Sequence, residues 1–245
     1  MSRRSSSLLP RVALLLAAAF VASGCGVLAQ QKARAPQATP APSAQPSPAE
    51  GEKIDRATSE PYTGDLSIFE SADRAEKLQV ERVMDVLGLK EGAGVADIGA
   101  GSGWFTVRAA RRVGASGKVY AVEINPEYVK HIEARAARES LPQVRPLLGK
   151  EDDPALPAAS VDAVLILKTY HEISQPVRLL TRLRAALKPG ARVGVIDREG
   201  KGDDHGIARD TVVREAERAG FTLVEQHDFV KGDGMDYFLV FQARK

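Results

Sequence analysis

The chain of 245 residues has a single cysteine, Cys25, which excludes an internal disulfide and a cysteine-based metal centre within one chain. It has little excess charge, 34 Lys and Arg against 32 Asp and Glu, for a formal net charge of +2. No basic field argues for phosphate binding along a polymer, so nucleic acid is not an expected partner. The apolar run Val12–Val21 falls well short of the roughly 20 residues that a mature spanning helix needs. There is no G-x-x-x-x-G-K phosphate loop and no Ser-His-Asp elbow. His171, His205 and Asp197 lie far apart in sequence, with no ligand spacing to join them, so no metal is expected.

What the chain does have is Val95-Ala96-Asp97-Ile98-Gly99-Ala100-Gly101-Ser102-Gly103-Trp104-Phe105. Val95–Ile98 reads as a short buried strand, three alternating glycines follow, and a helical pattern starts at Phe105. Such a strand–turn–helix unit lets the backbone approach a ligand closely. A second strand, Lys118–Val122, ends in Glu123, an acid about 20 residues beyond the glycines, where a carboxylate can receive the two hydroxyls of a ribose. A dinucleotide turn wants a small residue near the position of Trp104, and an indole fits it poorly. Asp97-x-Gly99-x-Gly101-x-Gly103 with Glu123 resembles the first two motifs of class I S-adenosylmethionine (SAM) dependent methyltransferases, of the small-molecule type. The resemblance implies SAM as methyl donor, held by the glycine turn with its ribose on Glu123. Asp97 would orient the turn or the methionine end.

The elements expected around this unit are alternating. A helical stripe spans Ala72–Leu87, and Asn125-Pro126 opens a helix to Arg138 with proline in its first turn. Strands are expected at Gln143–Leu147 and Val161–Leu167. A helix over Gln175–Leu187 should end at Lys188-Pro189-Gly190, followed by a strand over Ala191–Ile196 and a helix over Ala208–Ala219. Phe221–Val230 and Met235–Gln242 would pair through Lys231-Gly232-Asp233-Gly234, a hairpin signal. Five strands alternating with helices mean a parallel sheet covered on both faces. With the resemblance, the expected fold is α/β: a Rossmann-like, doubly wound, mostly parallel seven-stranded sheet with helices on both faces and a C-terminal β-hairpin.

Ligands in such sheets sit beyond the carboxyl ends of the strands. After the third strand, the resemblance implies an acid that accepts from the adenine amino group; Asp152 aligns best, with Asp153 next. After the fourth comes Lys168-Thr169-Tyr170-His171-Glu172, similar to a Tyr-His pair found at the methyl-donor end in a subset of the family. Lys168 stands where many relatives carry a small polar or acidic residue. His171 is either a general base or a packing and hydrogen-bonding residue; Asp197 and His205 point toward the same rim.

The N-terminal part reads differently. Arg3, Arg4 and Arg11 precede the apolar run, and Ala22-Ser23-Gly24-Cys25 follows it. This resembles the bacterial lipoprotein lipobox, which implies cleavage before Cys25, lipidation of its thiol, and a domain anchored to the membrane on the periplasmic side of the cell envelope. Three regions result: residues 1–26 as signal, 27–60 as a Pro/Ala-rich tether with too little apolar surface to fold, and 61–245 as the domain. A lipobox exports the domain, whereas SAM is made inside cells. An envelope methyltransferase acting on a small-molecule acceptor and an inactive, methyltransferase-like module that binds a nucleoside or another small ligand therefore both stand at this point, as does a cytoplasmic domain if the N-terminal segment is not used as a signal.

Overall fold

The computed structural model describes residues 56–245; Cys25, the signal segment and the tether up to residue 55 lie outside the described residues. Seven strands form one sheet: β1 (Gly94–Ile98), β2 (Lys118–Glu123), β3 (Val144–Leu148), β4 (Val161–Leu167), β5 (Leu187–Asp197), β6 (Phe221–His227) and β7 (Tyr237–Ala243). The spatial order is β3-β2-β1-β4-β5-β7-β6. Neighbours among β1–β5 run parallel, and β7 runs antiparallel between β5 and β6. Every residue of β1 is buried, as expected for a central strand covered on both faces. β3 is an edge strand and carries Pro146, which a central ladder would not tolerate.

Helices α1 (Arg74–Lys77), α2 (Val80–Val86), α3 (Trp104–Val113) and α4 (Pro126–Arg138) pack on one face. Their Leu78, Val83, Val107 and Ile132 (Leu78 from the bend between α1 and α2) join Val95, Val119 and Leu165 in one core cluster. Helices α5 (Pro176–Ala186) and α6 (Arg209–Arg218) cover the other face, where Leu179, Leu183 and Val212 meet Ile98, Val164 and Val195. The sheet is thus doubly wound, as the alternation of strands and helices implies. From β1 the chain winds outward to β2 and β3, then returns to start β4 on β1's other side. That reversal opens a crevice beyond the carboxyl ends of β1 and β4.

Four local expectations change. The stripe Ala72–Leu87 is two short helices, broken at Gln79, which is left-handed at φ 52°. Leu78 and Val80 are both buried, yet lie roughly 200° apart on a continuous helix, so the break is what brings both inward. Lys188-Pro189-Gly190 does not sit between helix and strand: α5 ends at Ala186, and β5 runs through the tripeptide as an irregular stretch, Leu187 pairing Val161 and Arg192 pairing Ala163. The closing pair is antiparallel, but Lys231–Gly234 is no tight hairpin turn. β6 stops at His227, a 3-10 segment spans Phe229–Asp233, and β7 starts at Tyr237. The chain leaves the ladder because Val230 is fully buried and the Phe229 ring packs edge-on against Phe238, 5.9 Å between centroids. Finally, Arg56–Glu60, read as the end of the tether, are docked on the domain: Ser59 is buried, and its N–H donates to the His171 carbonyl at 3.2 Å.

Candidate functional site

A cavity of about 580 Å³ opens at the crevice between β1 and β4. At one end lies the glycine turn. Gly99, Gly101 and Gly103 all adopt positive φ, 71°, 54° and 76°, so the backbone itself requires glycine there. At Gly99 a side chain is doubly excluded, because a Cβ would stand 2.3 Å from the Thr169 methyl. At Gly101 the space above the backbone is open, the nearest atoms being the Phe69 ring at 3.7 Å, which leaves room for a ligand against the main chain. Gly103 does not line the cavity; it starts α3 and faces Ile132 at 3.3 Å.

The Glu123 carboxylate ties this turn to the end of β2. The Gly101 N–H donates to Oε2 at 3.0 Å, and the N–H groups of Ile124 and Asn125 donate to Oε1 at 2.8 and 3.2 Å. Two carboxylate oxygens offer about four acceptor positions, so one remains for a ligand hydroxyl. Asp97 lies behind the turn, 2% exposed, and accepts from the Thr106 hydroxyl at 2.6 Å. Burial pushes its carboxyl up to about 6, with the Thr106 hydrogen bond opposing and the Glu123 charge adding to the rise. A cationic ligand at the cavity wall would favour the ionised form. Trp104 occupies the first turn of α3, buried, with the guanidinium groups of Arg74 and Arg108 within 4.4 and 3.9 Å of its ring centre. The indole fills the space that a dinucleotide turn keeps small.

At the other end is a 3-10 turn over Tyr170–Glu172, directly after β4. His171 is 1% exposed, and its Nδ1 lies 3.0 Å from both oxygens of Asp197, the last residue of β5. Asp197 is fully buried and also accepts from the backbone N–H groups of His171 and Arg198 at 3.2 and 2.9 Å. A buried carboxylate against Nδ1 places the ring proton there and leaves the Nε2 lone pair for the cavity. Nε2 faces Glu172 Oε1 at 3.9 Å, too far for a hydrogen bond. Burial pushes the Glu172 carboxyl up to about 7, His171 lowering it and the Glu123 and Asp197 charges raising it. His205 stands edge-on to His171, ring centres 5.9 Å apart. The pairing of His171 with Asp197 is a register effect between two strand ends, and no spacing in the sequence carries it. Glu172 has a signal that was available: it is adjacent to His171 on a turn that must present more than one side chain.

The two acids expected at the adenine end are elsewhere. An isolated bridge between Lys150 and Asp153 folds the loop after β3 back on itself. Asp152 then pairs with Arg178 and Arg182 at 3.2 and 2.9 Å, and Asp153 with Arg182 at 3.6 Å. Neither lines the cavity; Lys150 and Glu151 do. Lys168 does line it, exposed and in a left-handed conformation at φ 53°, its N–H held by the Ile196 carbonyl at 2.8 Å. One wall was invisible in the sequence: Thr58–Tyr62 with Ile68 and Phe69 close the mouth. Arg56 donates to the carbonyls of Tyr170 and Ile173 at 3.3 and 3.1 Å, and Ser59 Oγ donates to the Gly202 carbonyl at 2.8 Å while accepting from the His205 N–H at 3.0 Å.

Comparison with known proteins fits this geometry. Residues 95–190 match the model of the methyltransferase domain family. The chain is 32% identical over 114 residues to nocamycin O-methyltransferase of Saccharothrix syringae, covering 46% of this chain and 41% of that enzyme's length. It superimposes on a SAM-dependent methyltransferase from Aquifex aeolicus with a TM-score of 0.65 at 26% identity, over 73% of this chain and 98% of the other. The geranyl diphosphate C-methyltransferase of Streptomyces coelicolor A3(2), solved with Mg²⁺, geranyl diphosphate and S-adenosyl-L-homocysteine, shares the fold: TM-score 0.59, 18% identity, 73% and 82% coverage. Residues 95–190 are thus similar to the methyltransferase domain family, and the sheet that holds them has the fold of the SAM-dependent methyltransferase from Aquifex aeolicus.

Proposed function

We propose that the chain transfers the methyl group of SAM to a small-molecule acceptor. The observation that carries this reading is that the glycine turn, the Glu123 carboxylate and His171 line one cavity of about 580 Å³, within the range of small-molecule sites. The residues fit the donor: an open backbone surface at Gly101, a carboxylate acceptor at Glu123 for a ribose, and buried Asp97 against a cationic methionine end. Bound there, SAM supplies a sulfonium methyl carbon open to in-line attack. The chain's part is then to hold two reactants in line, which by itself accounts for much of such a rate enhancement. His171, with Nδ1 fixed by Asp197, presents a lone pair that takes the acceptor's proton as its oxygen bonds to the methyl carbon and the carbon–sulfur electron pair returns to sulfur. The similarity to an O-methyltransferase supports an oxygen acceptor.

The test is titration of the full-length chain with SAM and with NAD, followed by turnover against a panel of small hydroxylated acceptors. SAM is expected to bind and to raise the melting temperature, by about 2.7 kcal/mol of stabilisation at a hundredfold excess over Kd, while NAD does neither. Stabilisation by NAD alone overturns the donor assignment. Tight SAM binding with no turnover on any acceptor favours the binding module.

The resemblance of Ala22-Ser23-Gly24-Cys25 to a lipobox supports a location for this chemistry at the envelope, with the chain anchored through Cys25. Among the described residues no helix is long and apolar enough to cross a membrane. Cys25→Ala is expected to abolish acyl labelling and release the chain from the membrane fraction. Unlabelled, soluble wild-type protein would refute the anchor and remove the conflict over donor supply.

A further inference from the structure

Beside His171 the cavity holds two further donors, Glu172 and His205, that the methyl-transfer reading leaves unused. His171, Glu172 and His205 each offer one ligand atom, and these atoms lie within 4.8 Å of one another. We propose that they form a site for a divalent transition-metal ion, with Zn²⁺ as the natural probe. Two imidazoles and one carboxylate are a donor set that zinc and its neighbours take with further positions open to solvent or substrate. Magnesium, which prefers an all-oxygen shell, is not the ion this set selects.

Three features support the site beyond proximity. His171 is already arranged as a ligating histidine: the Asp197 carboxylate, at 3.0 Å from Nδ1, fixes the ring and leaves Nε2 to the cavity. A carboxylate behind a ligating imidazole is the usual outer partner of such sites, setting the tautomer and making the nitrogen a better donor. Glu172 stands beside that lone pair, its Oε1 3.9 Å from Nε2. His205 comes from a separate loop, and its position is fixed rather than incidental. Its backbone is left-handed at φ 57°, its N–H is held by Ser59 Oγ at 3.0 Å, and Gly202 and Gly206 close the loop around it through a 2.8 Å hydrogen bond. Donors at about 2.0–2.1 Å from a tetrahedral ion stand roughly 3.3 Å apart, so the set closes by at most about 1.5 Å. Rotation of the exposed His205 side chain and of Glu172 supplies that movement.

An ion there would bind the acceptor's attacking oxygen and lower the pKa of its O–H, so that the proton leaves to solvent water and His171 Nε2 serves as a ligand in place of the base. Its use in catalysis rests on the methyl-transfer reading; its existence does not.

The experiment is calorimetric titration of Zn²⁺ into the full-length chain, freed of metal by chelation and of any histidine tag. Titration with SAM runs in parallel. Saturable binding of one Zn²⁺ per chain is expected, with magnesium at least a hundredfold weaker. His171→Ala would leave Asp197 buried without its partner, so the decisive variants are His205→Ala and Glu172→Gln. Each is expected to weaken zinc at least tenfold, and His205→Ala to leave SAM affinity within twofold. Absence of saturable zinc binding, or zinc binding undiminished in His205→Ala, overturns the site while leaving the donor reading intact. Loss of SAM binding in wild type strikes the donor reading alone.

Discussion

Arg56→Ala is expected to destabilise the folded chain by about 3–5 kcal/mol, the cost of leaving one member of a buried ion pair behind. Arg56 donates from Nε to Glu215 Oε1 at 2.8 Å, and the two side chains are only 12% and 4% exposed. Removal of the guanidinium strands a carboxylate under the edge of α6, and also strips the carbonyls of Tyr170 and Ile173 of a donor. For a domain of this size the melting temperature falls by about 6–20 °C. Differential scanning fluorimetry on the single variant and on the pair Arg56→Met with Glu215→Leu provides the check. The double variant, which removes both charges and keeps apolar volume, is expected to recover most of the loss. A single variant that melts with wild type would mean that Arg56 is not docked against Glu215 in solution. The same pair predicts that a chain cut to begin at Pro61 is markedly less stable than one beginning before Arg56.

Glu123→Ala is expected to weaken SAM by one to two orders of magnitude, with a second cost in stability. The ligand loses a charge-assisted acceptor worth roughly 1.5–3 kcal/mol. The free protein loses the acceptor of three N–H groups, those of Gly101, Ile124 and Asn125, so the glycine turn is no longer tied to the end of β2. Glu123→Gln separates the two effects. The amide oxygen still accepts from one or two of the N–H groups, so stability should recover more than affinity does. Calorimetric titration with SAM, set beside a thermal melt of each variant, measures both. SAM affinity unchanged in Glu123→Ala would sink the ribose assignment, whatever happens to stability.

Much of the architecture was legible in the sequence because it is written in local patterns. β1 and β4 are near-continuous apolar runs, which only a strand covered on both faces can use. Asn125-Pro126 caps and opens α4 by its own chemistry, the Asn125 side chain accepting from the Glu127 N–H at 2.9 Å. Asp97, the three glycines and Glu123 could be read together because one strand, one turn and one crossover fix their relation over some 26 residues.

Where a side chain's partner is distant in sequence, the tertiary structure alone decided. Asp152 and Asp153 had the right address but turn to Arg178 and Arg182, since a bridge within their own loop redirects them. His171 acquires its tautomer from Asp197 because β4 and β5 end side by side. Arg56–Glu60 look like tether by composition, with no apolar periodicity to mark them. They are held by hydrogen bonds to backbone carbonyls and one buried carboxylate, and neither leaves a trace in sequence pattern. Periodicity reports which face of an element is apolar. It carries no information on which ends of distant strands meet, and there the glycine turn, His171 and the docked segment Thr58–Tyr62 come to line one cavity.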